Sequence, residues 1–374
     1  MHSHRMRRYG YGVLILAAVV GMATVAAAED KGASDPSPSL EYRPPRVVIP
    51  EPKAPHPLPP KTIFAEAIGS LGMLGGSFDR PTDIVRNADG SFYVLDVGNN
   101  RIQAFNSSGV FTGACGSRGI QKGEFDKPSA IAFPPGDSSN TALFVVDTGN
   151  DRIQICDMTA KGALTGGKIL KTCPQCTPWG ARGSGWPTSQ GPQFNSPRDI
   201  AVSSKGTIAI LDSGNDRIQF FGFSPEMTFF NKWDSGAGVT GGNFTGLVSL
   251  AWSDEREGYL YVFGAGCVVQ QFQPDPIGVG FQGKLITSWP AIPAESGLCV
   301  PARMEIDTRY NYVYVLDSGN SQLSSYNPNG LYRWTIRSAQ MPFDKPLGFA
   351  MDASGEEFLV ADTENNVVQK FTLR

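Results

Sequence analysis

Asp147-Thr-Gly-Asn-Asp-Arg-Ile-Gln154 is one of five near-copies of a single short phrase in this 374-residue chain. Each copy lies between two short runs of β-branched and aromatic residues. The Asp can accept backbone N–H groups within a turn, and Gly and Asn tolerate positive φ, so the phrase predicts a tight turn joining two antiparallel strands. The other four copies begin at Asp96, Asp212, Asp317 and Asp362.

The spacing of these anchor aspartates predicts six repeat units. The interval between Asp212 and Asp317 is about twice the others, so a unit with a degenerate phrase is expected near its middle. Tyr259-Leu-Tyr-Val-Phe263 and Val268-Val-Gln-Gln-Phe272 keep the apolar pattern there without the Asp and Asn. Internal repeats of this period are typical of solenoids and propellers.

A second phrase precedes most units, as in Phe78-Asp-Arg-Pro81 and Phe125-Asp-Lys-Pro128, and a Gly-rich loop lies ahead of it. One strand follows this phrase, two flank the turn, and a fourth ends the unit. Four antiparallel strands repeated around a ring define the blades of a β-propeller. The sequence therefore predicts an all-β, six-bladed propeller.

The two phrases resemble the NHL repeat, in which a Pro-x-Gly-Ile-Ala strand is followed by Asp-x-Gly-Asn and Arg-Ile-Gln. The resemblance covers about residues 62 to 374, is clearest in units one to three and is weakest in unit four. The Gly-His signature of WD40 propellers is absent, and Trp-Asp occurs once, at Trp233-Asp234, without recurring from unit to unit.

The ends of the predicted propeller should meet in one blade. The last unit supplies three strands, and Thr62-Ile-Phe-Ala-Glu-Ala-Ile-Gly69 stands alone before the first Gly-rich loop. We expect this segment to provide the outer strand of the sixth blade, because it would cover an edge that otherwise stays open.

Residues 1–28 read as a secretory signal peptide: basic residues, an apolar stretch, then Ala26-Ala-Ala28. The apolar stretch is shorter than the roughly 20 residues that a membrane anchor needs, which predicts no membrane span after cleavage. Residues 29–61 are rich in proline, which predicts an extended linker. The predicted location is secreted or periplasmic.

Six cysteines in an exported protein predict disulfide bonds. We expect Cys267 to pair with Cys299. For Cys173-Pro-Gln-Cys176, a structural disulfide, local or to Cys156 or Cys115, is favoured over a metal or redox site.

The charge balance argues against nucleic acid as a partner. The formal net charge is −3, and removing Arg5, Arg7 and Arg8 with the signal peptide makes it more negative. Nucleic-acid affinity depends on neutralising phosphates, which an acidic protein does poorly.

Histidine sets a limit on catalysis. The three histidines, His2, His4 and His56, all precede the predicted propeller. Related propeller lyases that depend on His ligands or a His base therefore offer no mechanism that can be carried over, and a Ser-His-Asp triad fails for the same reason.

One group of residues could still carry chemistry near the central channel. The position two residues after the Pro holds Asp83, Ala130, Asp199, Ser249, Arg303 and Gly348 in units one to six. Alternate units thus direct Asp83, Asp199 and Arg303 toward the axis. An ion pair is favoured; a calcium or ligand site with Asp83 and Asp199 as ligands, or a catalytic remnant, are the alternatives. No cofactor is otherwise predicted.

The function predicted from the sequence is an exported, non-enzymatic scaffold that binds a protein partner. The binding face would carry the turns and Gly-rich loops, with Arg101, Arg152 and Arg217 on its rim; these arginines could equally brace the neighbouring loops. Trp179 and Trp186, in the long insert after unit two, are candidate contacts or local packing. The alternative is a metal-dependent lyase or lactonase-like enzyme with carboxylate ligands at the central channel.

Overall fold

A computed structural model describes residues 61–135, 142–158, 164–188, 191–223, 227–253, 258–275, 281–291, 299–307 and 309–374. The predicted signal peptide and all but the last residue of the predicted linker lie outside these ranges. Within them, no helix has the length and apolar character that crossing a bilayer requires.

The described residues form 28 strands. The first fourteen are β1 (Thr62–Ile68), β2 (Pro81–Arg86), β3 (Phe92–Asp96), β4 (Arg101–Phe105), β5 (Phe111–Cys115), β6 (Ala130–Ala132), β7 (Ala142–Asp147), β8 (Arg152–Asp157), β9 (Lys168–Leu170), β10 (Cys176–Trp179), β11 (Ala181–Arg182), β12 (Gln193–Phe194), β13 (Pro197–Val202) and β14 (Thr207–Asp212). The others are β15 (Arg217–Phe223), β16 (Met227–Asp234), β17 (Val239–Thr240), β18 (Leu247–Ser253), β19 (Tyr259–Gly264), β20 (Val268–Pro274), β21 (Gly283–Pro290), β22 (Pro301–Ile306), β23 (Val313–Asp317), β24 (Gln322–Tyr326), β25 (Tyr332–Ile336), β26 (Pro346–Met351), β27 (Glu357–Asp362) and β28 (Val367–Leu373). Short 3-10 turns follow β7, β14 and β19.

Six antiparallel sheets make the six blades. In order from the inner strand outward they are β2-β3-β4-β5, β6-β7-β8-β10, β13-β14-β15-β16, β18-β19-β20-β21, β22-β23-β24-β25 and β26-β27-β28-β1. Two short strands, β9 and β17, add parallel pairings to the outer edges of blades 1 and 4. The predicted all-β, six-bladed propeller is confirmed.

The hydrophobic core lies between the blades. The described residues form six apolar clusters, and each joins side chains of two neighbouring sheets. Between blades 3 and 4, for instance, the ring of Phe220 packs 4.4 Å from that of Trp233 and 4.9 Å from that of Phe281, centroid to centroid. Because each sheet buries both faces in this way, no blade has a core of its own.

The sixth blade combines strands from both ends of the described chain. In β1, Thr62 lies opposite Leu373 and Ile68 lies opposite Val368, so β1 runs antiparallel to β28. Backbone hydrogen bonds join Lys61 N to Arg374 O and Arg374 N to Lys61 O. Across the neighbouring interface, Thr363 Oγ1 donates to Pro81 O of blade 1.

The structure contains three disulfide bonds. Cys267 pairs with Cys299, as predicted. The cysteines of Cys173-Pro-Gln-Cys176 take separate non-local partners, Cys115 at the end of β5 and Cys156 in β8. The first bond ties the segment before β10 to blade 1, and the second joins neighbouring strands β8 and β10 within blade 2.

Candidate functional site

A bulge shapes the start of the inner strand in five blades. In blade 1, Pro81 pairs with Asp96 and Asp83 with Leu95, so one residue of β2 is left without a partner in β3. The same shift occurs in blades 3 to 6. A bulge re-aims the side chains beside it, and here the residue that follows is Asp83, Asp199, Ser249, Arg303 or Gly348.

The acidic side chains after the bulge bind the next inner strand. Asp83 accepts hydrogen bonds from its neighbour Ile84 N and, 2.8 Å away in blade 2, from Ile131 N. Asp199 likewise accepts from Ile200 N and, in blade 4, from Leu250 N. These carboxylates therefore hold adjacent blades together at the axis.

Arg303 joins the two aspartates. Its Nη1 donates to Asp199 Oδ1 at 2.6 Å and lies 3.6 Å from Asp83 Oδ2. Burial alone would lower the pKa of Arg303, but the carboxylates of Asp199 and Asp83 raise it. The structure thus brings the three predicted axial residues into one ion-pair cluster.

Two acids in this cluster hold protons more tightly than usual. Burial raises the pKa of Asp83 to about 6, although Arg303 opposes the shift. Burial also raises the pKa of Glu305, in the same strand as Arg303, to about 8, despite the nearby guanidinium. At neutral pH the Glu305 carboxyl is therefore mostly neutral, whereas Asp83 is mostly ionised.

A cavity of about 210 Å³ borders this cluster. Asp83, Asp199 and Arg303 contribute to its wall, and the exposed cations Lys127 and Arg198 lie at its edge. Thr82 Oγ1 and Arg303 Nε, on residues that line it, are buried atoms without a hydrogen-bond partner among the described atoms.

The donor set here fits calcium poorly. Each aspartate already accepts two backbone hydrogen bonds, and the Arg303 guanidinium contacts both carboxylates. A cation would have to displace that guanidinium to reach oxygens from both Asp83 and Asp199. Calcium at this position stays a prediction from the sequence.

The three rim arginines form clamps on the Gly-rich loops. In blade 1, Arg101 Nε donates to Asp96 Oδ2 at 2.8 Å, while its two terminal nitrogens donate to the carbonyls of Met73, Leu74 and Ser77. Gln103 completes the clamp by donating to Asp96 and Ser77 O. Arg152 with Asp147, and Arg217 with Asp212, repeat the arrangement in blades 2 and 3.

Most N–H donors of these three arginines therefore form hydrogen bonds within the protein. Arg101 and Arg217 are buried, and the Arg152 side chain is 12% exposed. The bracing role is what the structure shows; direct contact with a partner stays a prediction.

The clamped loops carry exposed apolar side chains. In the loop before blade 1, Leu71, Met73 and Leu74 are 71%, 78% and 77% exposed. In the loop before blade 2, Ile120 is 70% exposed, and its carbonyl accepts from Arg152. None of these four residues was predicted as a contact from the sequence, although apolar side chains inside a Gly-rich loop were a visible signal.

The two tryptophans differ. The prediction that Trp179 lies in an insert was wrong: it ends β10, the outer strand of blade 2, and packs against the core with its ring centroid 4.6 Å from that of Phe221. Trp186 contacts Phe229 on one side and lies under Lys232 Nζ, yet it stays 58% exposed. It follows Ser184 and Gly185, whose carbonyls accept from Arg217.

Six four-stranded sheets around an axis define a six-bladed β-propeller, and in five of them an Asp-anchored turn joins the second and third strands. The chain carries the NHL repeat: the family model of that name matches residues 78–105, 194–221 and 343–371. These are the turn-bearing parts of blades 1, 3 and 6. No curated protein is similar enough in sequence to match the chain.

Solved structures share the fold at low sequence identity. The Cps50 (Swd1) β-propeller domain of Myceliophteria thermophila aligns with a TM-score of 0.56 and 8% identity over 84% of this chain and 100% of that one. A streptogramin B lyase gives 0.53 and 11%, over 84% and 98%. A luciferin-regenerating enzyme gives 0.54 and 14%, over 82% and 94%. At these identities the likeness shows the fold alone.

Proposed function

We propose that this propeller is a scaffold that binds a protein partner through the face carrying its clamped loops. The supporting observation is the coupling of three arginine clamps, two of them with buried arginines, to exposed apolar residues in the loops before blades 1 to 3. An exposed apolar residue is common, but a group of them on rigid loops is typical of interaction sites.

The clamps lower the entropic cost of binding. Three hydrogen bonds from Arg101 hold the backbone that carries Met73 and Leu74. A loop that is already ordered loses little conformational freedom when a partner contacts it. Buried arginines thus act on the partner through the loops that they hold.

We infer that the protein acts outside the cytoplasm, in the periplasm or beyond the cell. Its three disulfide bonds support this location, because such bonds persist in oxidising compartments. Thr62 lies beside Leu373, at the end of the sixth blade away from the turn at Asp362. The described chain therefore begins, at Lys61, on the face opposite the proposed binding face.

A matched pair of variants tests the scaffold. The tip variant combines Met73→Ser, Leu74→Ser and Ile120→Ser; the control combines Val110→Ser and Leu331→Ser, two exposed apolar residues in loops at the opposite face. Tagged mature proteins would be used to capture partners from an envelope extract, followed by affinity measurement with the purified partner. We expect the tip variant alone to lose binding.

Equal binding by the wild type and the tip variant would overturn the proposed face. Thermal midpoints of both variants should match that of the wild type, since all five side chains are exposed. This check separates loss of binding from loss of fold.

The axial cluster supports a second candidate function, an enzyme of the lyase or lactonase type. Asp83, with its pKa near 6, could exchange a proton with a ligand in the cavity, and the unpartnered Thr82 Oγ1 and Arg303 Nε could bind it. Elemental analysis of the purified protein tests the metal-dependent form. A stoichiometric metal that is present in the wild type and lost in Asp199→Asn would support a metal-dependent enzyme. If the wild type holds no metal, only a metal-free reaction at this cavity would be left.

A further inference from the structure

Blade 4 lacks the arginine clamp of blades 1 to 3. Gly264 pairs with Val268 in this blade, at the register where Asp96 pairs with Arg101 in blade 1. The turn between them, Ala265–Cys267, is one residue shorter than the turn between Asp96 and Arg101. The carboxylate and the guanidinium of the clamp are therefore both missing.

The glutamine of the clamp is nevertheless kept. Gln270 Nε2 donates to Asn243 O at 2.7 Å, as Gln103 Nε2 donates to Ser77 O at 2.7 Å in blade 1. Asn243 N in turn donates to Gln270 Oε1 at 2.7 Å. The loop before blade 4 is thus held in place without the arginine.

A cavity of about 270 Å³ opens at this position. Its lining includes Gly264 and Val268, the residues that stand where the clamp has Asp and Arg. Leu247, Ala265 and Val268 give it an apolar wall. Asn243, Thr245 and Ser288 contribute amide and hydroxyl groups, and Ser288 lies directly opposite Gln270 across β20 and β21.

The lining selects an uncharged ligand. None of the described residues that line the cavity is acidic or basic. A guanidinium or ammonium group would find no carboxylate here, and an anion would find no cation, so either would lose hydration without compensation. A neutral ligand with hydroxyl groups and an apolar face matches the amide, hydroxyl and aliphatic groups present.

The size of the cavity restricts the ligand further. Sites for drug-sized molecules are roughly 300–1,000 Å³, so this cavity suits a single ring. We propose that the blade 4 cavity binds one neutral sugar residue of the pyranose class. This site is separate from the protein-binding face proposed above and does not rest on it.

Saturation-transfer NMR with glucose, galactose and N-acetylglucosamine tests the proposal on the whole mature protein. We expect transfer from the wild type to at least one of these sugars. Val268→Arg should abolish it, because the new side chain would fill the cavity as Arg101 fills the equivalent space in blade 1. Val367→Arg is the matched control: Val367 pairs with Asp362 at the same register in blade 6, away from the cavity.

Thr245→Val provides a second test if Val268→Arg fails to fold. It removes one exposed hydroxyl while keeping the shape of the side chain, and we expect weaker transfer. The proposal would be overturned by no transfer to any of the three sugars, or by equal transfer in the wild type and a folded Val268→Arg variant. Binding of N-acetyl-arginine amide at this site in place of sugar would also overturn it.

The two proposals can fail separately. The tip variant (Met73→Ser, Leu74→Ser, Ile120→Ser) should lose the protein partner but keep saturation transfer to sugar. Val268→Arg should show the opposite pattern.

Discussion

At the scale of single residues, Arg303 controls the electrostatics of the axis. Its guanidinium contacts Asp199 and approaches Asp83 within a region from which most water is excluded. Removing a buried cation from between two acids costs more stability than its ion pairs contribute, because the two acids are then left facing each other without a cation.

Arg303→Met should therefore destabilise the protein in a pH-dependent way. At pH 8 Asp83 is ionised and its buried charge would lose its cationic partner, so we expect a loss of about 3–5 kcal/mol in the free energy of unfolding. At pH 5 Asp83 is mostly protonated, because its pKa is about 6, so the loss should be smaller. Denaturant unfolding at the two pH values measures it. The exposed Arg309→Met is the control, and equal losses for Arg303→Met at both pH values would contradict the account.

Glu305 should make stability fall as pH rises. Its pKa is about 8 in the folded protein against an ordinary value of 4.5, so the folded state binds this proton more tightly than the unfolded state. The contribution of Glu305 to the free energy of unfolding is complete below pH 4.5. Between pH 4.5 and about pH 8 it falls by up to about 1.4 kcal/mol per pH unit.

The test compares Glu305→Gln with the wild type in thermal unfolding from pH 5 to pH 8. The variant should show a shallower decline, because glutamine does not titrate. Glu66→Gln, at an exposed position in β1, should follow the wild type. Parallel pH profiles for the wild type and Glu305→Gln would mean that Glu305 titrates alike in the folded and unfolded states.

At the scale of structural elements, the clamp joins a turn to a loop that comes earlier in the chain. Asp147 accepts from Asn150, Arg152 and Gln154, and these three side chains in turn donate to loop carbonyls. The repeated phrase thus encodes both a hairpin and its contact with the preceding loop.

Arg152→Met should loosen one loop and leave the others unchanged. Asp147 would lose its cationic partner, and the carbonyls of Ile120, Gln121 and Glu124 would lose donors. We expect a stability loss of about 2–4 kcal/mol, near that of breaking a buried pair. Hydrogen exchange should rise in residues 117–126 but not in the blade 4 loop. If exchange in residues 117–126 stays at the wild-type rate, the clamp does not hold its loop.

Two disulfide bonds allow a comparison of loop length. Cys115 and Cys173 are 58 residues apart in sequence, whereas Cys156 and Cys176 are 20 apart. If each bond acts by restricting the unfolded chain, replacing the first pair with serine should cost about 1 kcal/mol more than replacing the second. Denaturant unfolding of the two double-serine variants measures the difference, and a reversed order would indicate that local packing dominates.

The elements also show what sequence could and could not predict. Turn chemistry is local, so the Asp-x-Gly-Asn phrase was enough to predict the blades, and the repeat register was enough to place Asp83, Asp199 and Arg303 together. The acceptors of Arg101 and the partners of Cys173 and Cys176 depend on how separate segments pack, which the sequence does not state. The blade 4 cavity forms because Gly264 and Val268 replace the Asp and Arg of the clamp. The sequence shows that each residue departs from the repeat, but it does not show that the two line one cavity.

At the scale of the whole molecule, the ring depends on interfaces between blades. Each of the six described blades buries both faces against its neighbours, so removing one strand should weaken more than one blade. Deleting residues 62–70 would expose the edge of β28 and remove Phe64 and Ile68 from the clusters beside it.

We expect this deletion to lower the thermal midpoint by at least several degrees, since exposing an edge strand and apolar surface costs several kcal/mol. The deletion protein should also self-associate through the open edge, which size-exclusion chromatography with light scattering would detect. A control that removes residues 29–58 should keep the wild-type midpoint. An unchanged midpoint after deleting residues 62–70 would show that β1 adds nothing to the sixth blade.

The pairing of β1 with β28 has a consequence for biosynthesis. A ribosome releases residues 62–68 long before residues 367–373, so the last sheet has to wait while five others are being made. Pairings between distant segments form slowly because the intervening chain must first be ordered. Any chaperone that meets the growing chain before its last strand is made would thus encounter an incomplete circle with one open side.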